Sequence, residues 1–158
     1  MTSQSNGRGY SAIGLFSPKN SLNVGSALRA AGCYGAAMVV VGGERPKRYL
    51  KRVQTDTQAA YRHLPLIGCE DLHSAVPFDC VPVAIEILDG ARPLYDYTHP
   101  ERAFYIFGPE DGSLGKQVTD WCRDVVYVPT NYCMNLAATV NVVLYDRMAK
   151  RAIRRAAA

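Results

Sequence analysis

The sequence has no apolar run approaching the roughly 20 residues that a bilayer-spanning helix requires. Its first ten residues, Met1 to Tyr10, are polar and glycine-containing and lack the apolar centre of a secretory signal. The expectation is a cytoplasmic protein whose residues 1–10 are disordered. There is no Cys-x-x-Cys, and His63, His73 and His99 are too scattered to give a helical ligand pair, so no metal site is expected. The five cysteines (Cys33, Cys69, Cys80, Cys122 and Cys133) are odd in number and mostly in apolar surroundings, and read as buried, reduced thiols. No Gly-Lys-Ser/Thr closes a P-loop. No Gly-x-Gly-x-x-Gly opens the first helix, which argues against a Rossmann oxidoreductase. Internal repeats, low-complexity segments and linkers are also missing, so the 158 residues read as one domain.

What is present is an alternation of short apolar runs and helix-like stretches. Ser11 to Phe16, Ala37 to Val41, Leu66 to Cys69, Val81 to Leu88, Ala103 to Phe107 and Val125 to Val128 read as strands. Leu22 to Cys33 reads as a helix from the spacing of Val24, Leu28 and Ala31, with Asn23 at the N-cap position. Glu44 to Arg62 reads as containing a short exposed helix, Asp71 to Ala75 as a helical turn, Ala91 to Arg102 as a loop and Gly115 to Cys122 as a short helix. A long helix, Asn135 to Arg155, closes the chain. Its core stripe of Leu136, Val140, Val143 and Leu144 is widened by Val142 and Tyr145, which calls for a second covering surface such as an oligomer interface. The order predicts an α/β fold, a mostly parallel sheet flanked by helices.

Charge is unevenly placed. Arg147, Lys150, Arg151, Arg154 and Arg155 end the chain with no acid among them, and the remaining 13 basic residues face 14 acidic ones, a net −1. A second cluster is Arg45, Lys47, Arg48, Lys51 and Arg52. Clusters of this kind suit a polyanion, although basic residues at a helix C-terminus also complement its dipole.

Ligands of open parallel sheets bind beyond the carboxyl ends of strands. Three such ends, after Phe16, Phe107 and Val128, carry glycine, proline or polar residues. The second reads Gly108-Pro109-Glu110-Asp111-Gly112-Ser113-Leu114-Gly115. Here the sequence resembles the TrmH-like branch of the SPOUT RNA methyltransferases. Asn23-Val24-Gly25-Ser26-Ala27-Leu28-Arg29 is similar to the family's Asn-x-Gly-x-x-x-Arg, Phe107 to Leu114 to its Gly-x-Glu-x-x-Gly-Leu, and Val128-Pro129 followed by Cys133-Met134-Asn135-Leu136 to its Ile-Pro…Ser-Leu/Met-Asn. The resemblance runs from about Ser11 to Lys150, with Ser113 where the family has glycine and Cys133 where it has serine. With no added RNA-binding domain, the chain is most similar to the minimal members that methylate the tRNA wobble ribose.

The resemblance implies a deep trefoil knot near the C-terminus and S-adenosylmethionine as cofactor. Glu86, Ile87 and Leu88 would lie along the adenosine, and Gly108, Pro109, Val128, Cys133 and Met134 would wrap the rest. Arg29 would clamp RNA phosphate and hydroxyl, a role its rigid fork of donors suits better than that of a base. Asn23 and Asn135 would orient the site, and Glu110 would hold Arg29 or Asn23. Family members are homodimers with sites completed across the interface. Lys19, Arg48 and Arg52 are candidate contacts to RNA, as is the basic C-terminal stretch. The competing readings are a non-catalytic RNA-binding protein with the same fold and a metabolic α/β enzyme using another nucleotide cofactor.

Overall fold

The computed structural model describes residues 9–43 and 60–158. Its strands are β1 (Tyr10–Phe16), β2 (Val39–Gly42), β3 (Leu66–Gly68), β4 (Val81–Ile85), β5 (Arg92–Pro93), β6 (Arg102–Phe107) and β7 (Asp124–Tyr127). Its α-helices are α1 (Ser21–Cys33), α2 (Lys116–Thr119) and α3 (Leu136–Ala156). All seven strands pair in parallel, in the order β3-β2-β1-β6-β4-β7-β5.

Parallel strands at the centre of a sheet are covered on both faces, which is why their sequences are continuous apolar runs. Alternate residues supply two cores. On one face Ile13, Leu15, Val83, Tyr105 and Phe107 pack with Val24, Ala27 and Leu28 of α1 and Val140, Val143 and Leu144 of α3. On the other, Ala12, Ala84, Phe104 and Ile106 lie under Leu72, Leu114 and Val118. Gly14 belongs to the second face, where a Cβ would stand 2.8 Å from the Phe104 ring. The missing side chain makes room for that ring against β1.

Several elements differ from the sequence expectation. β1 starts one residue early, at Tyr10. Residues 1–8 and most of the expected helix between Glu44 and Arg62 lie outside the described residues, as do Arg48 and Arg52. The N-cap of α1 is Asn20, not Asn23: Asn20 is extended and its Oδ1 accepts from the Leu22 amide at 2.8 Å. β4 ends at Ile85, where the Glu86 amide makes the last bond to β7, at Val126 O, and the chain leaves the sheet. The expected loop from Ala91 contains β5, an edge strand on which a proline costs no ladder bond. No cysteine is fully buried: Cys33 and Cys133 are exposed, the others partly so, and all are free. Burial still pushes the Cys122 thiol up to about 12.

The basic end of the chain is also corrected. Arg147 is buried, 4% exposed, and points into the protein. It donates to the carbonyls of Pro100 (2.6 Å), Glu101 (2.7 Å) and Tyr10 (3.1 Å) and to the Tyr105 hydroxyl (3.1 Å). Lys150 donates to the carbonyls of Leu94 and Tyr97 and pairs with Asp146 at 2.8 Å. These two cations pin α3 to the sheet and leave Arg154 and Arg155 exposed.

Next to Arg147, the His99 ring is 7% exposed and bridges Asp146 (Nε2 to Oδ2, 2.8 Å) and the Tyr105 hydroxyl (Nδ1, 2.6 Å). A carboxylate can only accept, so Nε2 carries a proton. Burial favours the neutral ring, in which Nδ1 accepts from the Tyr105 hydroxyl. Burial lowers its pKa from 6.5 to about 4, against the opposing pull of Asp146. The unfolded chain binds this proton at a higher pH than the folded one. His99 thus contributes nothing to pH dependence above its unfolded pKa, and stability falls as pH drops from there toward 4, by on the order of 3 kcal/mol. Denaturation midpoints at pH 7 and 4.5 check this. The drop is expected to be clearly smaller in His99→Gln, and an equal drop in both proteins would show that His99 is not the group responsible.

Candidate functional site

The site gathers at the carboxyl ends of β1, β4, β6 and β7. β1 turns sharply at Ser17, whose φ is +46°, and delivers Lys19 and Asn20 to the start of α1. The loop after β6 meets them there. Glu110 Oε2 accepts from the Lys19 amide at 2.7 Å, and Oε1 accepts from the Asn20 amide at 3.2 Å and from Asn23 Nδ2 at 2.7 Å. Asn23 Oδ1 in turn accepts from Asn135 Nδ2 at 2.9 Å. Asn135 caps α3, its Oδ1 accepting from the Ala137 amide at 2.8 Å and the Ala138 amide at 3.4 Å.

Each amide orientation in this relay is forced. Asn135 Oδ1 must face backbone donors, so its nitrogen faces Asn23, and the nitrogen of Asn23 then faces the carboxylate. Partial burial pushes the Glu110 pKa up. Hydrogen bonds from Asn23 and from the amides of Lys19, Glu110 itself and Asn20 outweigh it and hold the carboxyl below its ordinary value. Glu110→Gln puts an amide nitrogen against one of these donors. It is expected to cost about 1 kcal/mol, or roughly 2–4 °C in Tm for a chain of this size. An unchanged melting curve would show that the carboxylate is dispensable to the relay.

A cleft opens beside the relay. Its walls include Glu86 and Ile87 after β4, Gly108 to Glu110 after β6, Val128 and Thr130 after β7, and Cys133, Met134 and Thr139 at the head of α3. Glu86 secures the wall. Its Oε1 accepts from the Ile87 amide at 2.9 Å, and its Oε2 from Ser113 Oγ at 2.9 Å and the Leu114 amide at 2.8 Å. Ser113, which stands where the resembled family has glycine, also accepts from the Gly115 amide at 3.2 Å. The serine therefore ties the glycine-rich loop to β4.

The structure brings together Asn23, Glu110 and Asn135, and it places Glu86, Ile87, Gly108, Pro109, Val128, Cys133 and Met134 on one cleft. Leu88 is not on that wall and is 41% exposed. Arg29 is exposed on α1, six residues or about 9 Å along the helix from Asn23, and is not on the cleft either. Glu110 holds Asn23, one of its two expected partners. Lys19 pairs with Asp111 through Nζ at 2.9 Å. The sequence reading passed over Thr130 and Thr139, whose only signal is proximity to the Pro129 and Asn135 motif positions. Among the described residues no cluster of metal-ligating side chains occurs, and no helix is long and apolar enough to cross a membrane.

Solved structures share this architecture. The A. aeolicus TrmH/SpoU tRNA modifying enzyme superposes with a TM-score of 0.80 at 12% identity, over 91% of this chain and 76% of that one. The SpoU methyltransferase AviRb from Streptomyces viridochromogenes, in complex with the cofactor AdoMet, gives 0.77 at 19% identity, over 92% of this chain and 59% of that one. A protein from a study of 2-OH methylation of C/U34 on tRNA gives 0.75 at 22% identity, over 92% and 99%. At these identities the likeness establishes the fold. This chain spans about three fifths of the length of AviRb. No curated protein sequence matches it. The sequence pattern of one family matches residues 11–145, a span that takes in the Asn23 helix, the Gly108 loop and the Asn135 cap; the chain belongs to the SpoU rRNA Methylase family.

Proposed function

We propose that the protein is a methyltransferase that uses S-adenosylmethionine to methylate a ribose 2′-hydroxyl of RNA, with tRNA and its wobble nucleotide as the favoured substrate. The observation that carries the reading is the relay Glu110–Asn23–Asn135, which joins three separate sequence motifs at the mouth of one cleft. The cleft also suits this cofactor chemically. Two carboxylates, Glu86 and Glu110, line it, and among the described residues no lysine or arginine does, a balance that favours a sulfonium cation. Apolar Ile85, Ile87 and Leu136 offer surface for a nucleoside, and the turns at Gly108, Val128 and Cys133 offer backbone groups.

In this reading Glu86, Ile87, Gly108, Pro109, Val128, Cys133 and Met134 would hold the cofactor, with Leu88 at the rim. S-adenosylmethionine supplies an activated methyl carbon. What remains for the protein is alignment and charge placement. Asn23 and Asn135, fixed by Glu110 and by the cap of α3, orient the RNA ribose at the cleft mouth. Arg29 clamps the reacting hydroxyl and the adjoining phosphate. Because Arg29 is outside this chain's own cleft, we assign it to the cleft of a second copy in a homodimer, whose interface includes the exposed Tyr145 and Met148 of α3. The segment after β7 is threaded as a trefoil knot. Lys19, Arg48 and Arg52 contact RNA phosphates, and the protein works in the cytoplasm.

The test is transfer from methyl-labelled cofactor to bulk tRNA, followed by alkaline hydrolysis. Label retained in alkali-resistant dinucleotides supports ribose methylation. Label released as mononucleotides moves the reaction to a base, and no label at all favours a non-catalytic binding protein.

A further inference from the structure

We infer that Tyr132 is a stacking platform for an RNA base at the cleft mouth and sets substrate affinity and selection. The inference rests on the methyltransferase reading above. The Tyr132 side chain is 87% exposed, among the most exposed large side chains in the protein. It stands between two cleft residues, Thr130 and Cys133, and three positions before Asn135 of the relay. Its backbone is fixed, because Thr130 Oγ1 donates to the Tyr132 carbonyl at 2.7 Å and closes a tight local turn. The turn presents the ring to solvent beside the place where a ribose must be held.

Proteins that read single-stranded RNA commonly splay a base out and stack it on an exposed aromatic ring. A nucleotide whose ribose lies at Asn23 and Asn135 carries its base within reach of the cleft rim, and Tyr132 is an exposed aromatic residue beside that rim, whereas Tyr127 lies on the cleft wall itself. Stacking needs the ring and not the hydroxyl. It is also insensitive to salt, unlike a phosphate contact.

The experiment compares wild type, Tyr132→Ala and Tyr132→Phe for affinity to bulk tRNA at several salt concentrations, for affinity to S-adenosylhomocysteine, and for oligomeric state. Tyr132→Ala is expected to weaken RNA binding roughly ten- to a hundredfold by the same factor at every salt concentration. Cofactor affinity and oligomeric state stay unchanged, and Tyr132→Phe stays within about twofold of wild type. Equal RNA affinity in wild type and Tyr132→Ala overturns the inference, as does a shift in oligomeric state, which would make Tyr132 an interface residue. Failure of the underlying reading looks different: wild type itself then binds no cofactor and transfers no methyl group, and this inference falls with it.

Discussion

Arg29→Ala is expected to slow methyl transfer by roughly a hundred- to a thousandfold while leaving cofactor affinity unchanged, the size of effect seen when one fixed donor to a reacting group is removed. Arg29 is exposed and off its own chain's cleft, so its loss should leave that cleft intact. Arg29→Lys restores a charge but not the planar fork, and recovers only part of the rate. The assignment across subunits has its own consequence. When Arg29→Ala chains are mixed with Ile87→Arg chains, whose cleft is blocked, a mixed dimer joins one intact cleft to one intact Arg29 and regains activity. If Arg29 served its own chain's cleft, the mixture would stay as inactive as its components. Rates from labelled cofactor, with titration of S-adenosylhomocysteine as the binding control, decide between the two.

Arg147→Ala is expected to produce the largest stability loss, about 3–5 kcal/mol, because four acceptors lose a buried charged donor at once. Three of them are carbonyls around the starts of β1 and β6, so the damage extends from α3 into the centre of the sheet. Arg147→Lys supplies a point charge where a fork spans separate acceptors, and rescues little. Urea denaturation followed by circular dichroism measures the difference. A loss below about 1 kcal/mol would mean that water replaces the guanidinium and that the network is incidental.

Arg147 also shows where sequence reading reaches its limit. Five basic residues near the end of a chain look like a solvated or RNA-gripping face. Besides the Tyr105 hydroxyl and Asp146, the partners that turn Arg147 and Lys150 inward are the backbone carbonyls of residues 10, 94, 97, 100 and 101, which carry no sequence signal. The same holds for β5, two residues long and recognisable only once β7 lies beside it. By contrast, the central strands were legible because a parallel sheet buried on both faces demands unbroken apolar runs. The site was legible in part. Asn23, Glu110 and Asn135 stand out through the resemblance of three ordered motifs, whereas spacing alone makes Asn23 a helix cap; Asn20, three residues earlier, does that work and frees Asn23 for the relay. Glu86 stood out too, though its hold on Ser113 and Leu114 depends on a register between β4 and the glycine-rich loop that only the fold supplies.

All of this depends on the cleft between Ile87, Gly108 and Met134 being the place where the methyl donor binds. Isothermal titration of S-adenosylmethionine into wild type and Ile87→Arg tests it directly. Ile87 is 64% exposed, so the substitution spares the core, and it puts a cation into a cleft that no lysine or arginine among the described residues lines. The account predicts one site per chain in wild type and at least a roughly tenfold weaker one in Ile87→Arg, with Tm unchanged. No binding by wild type, or equal binding by both proteins, would contradict it.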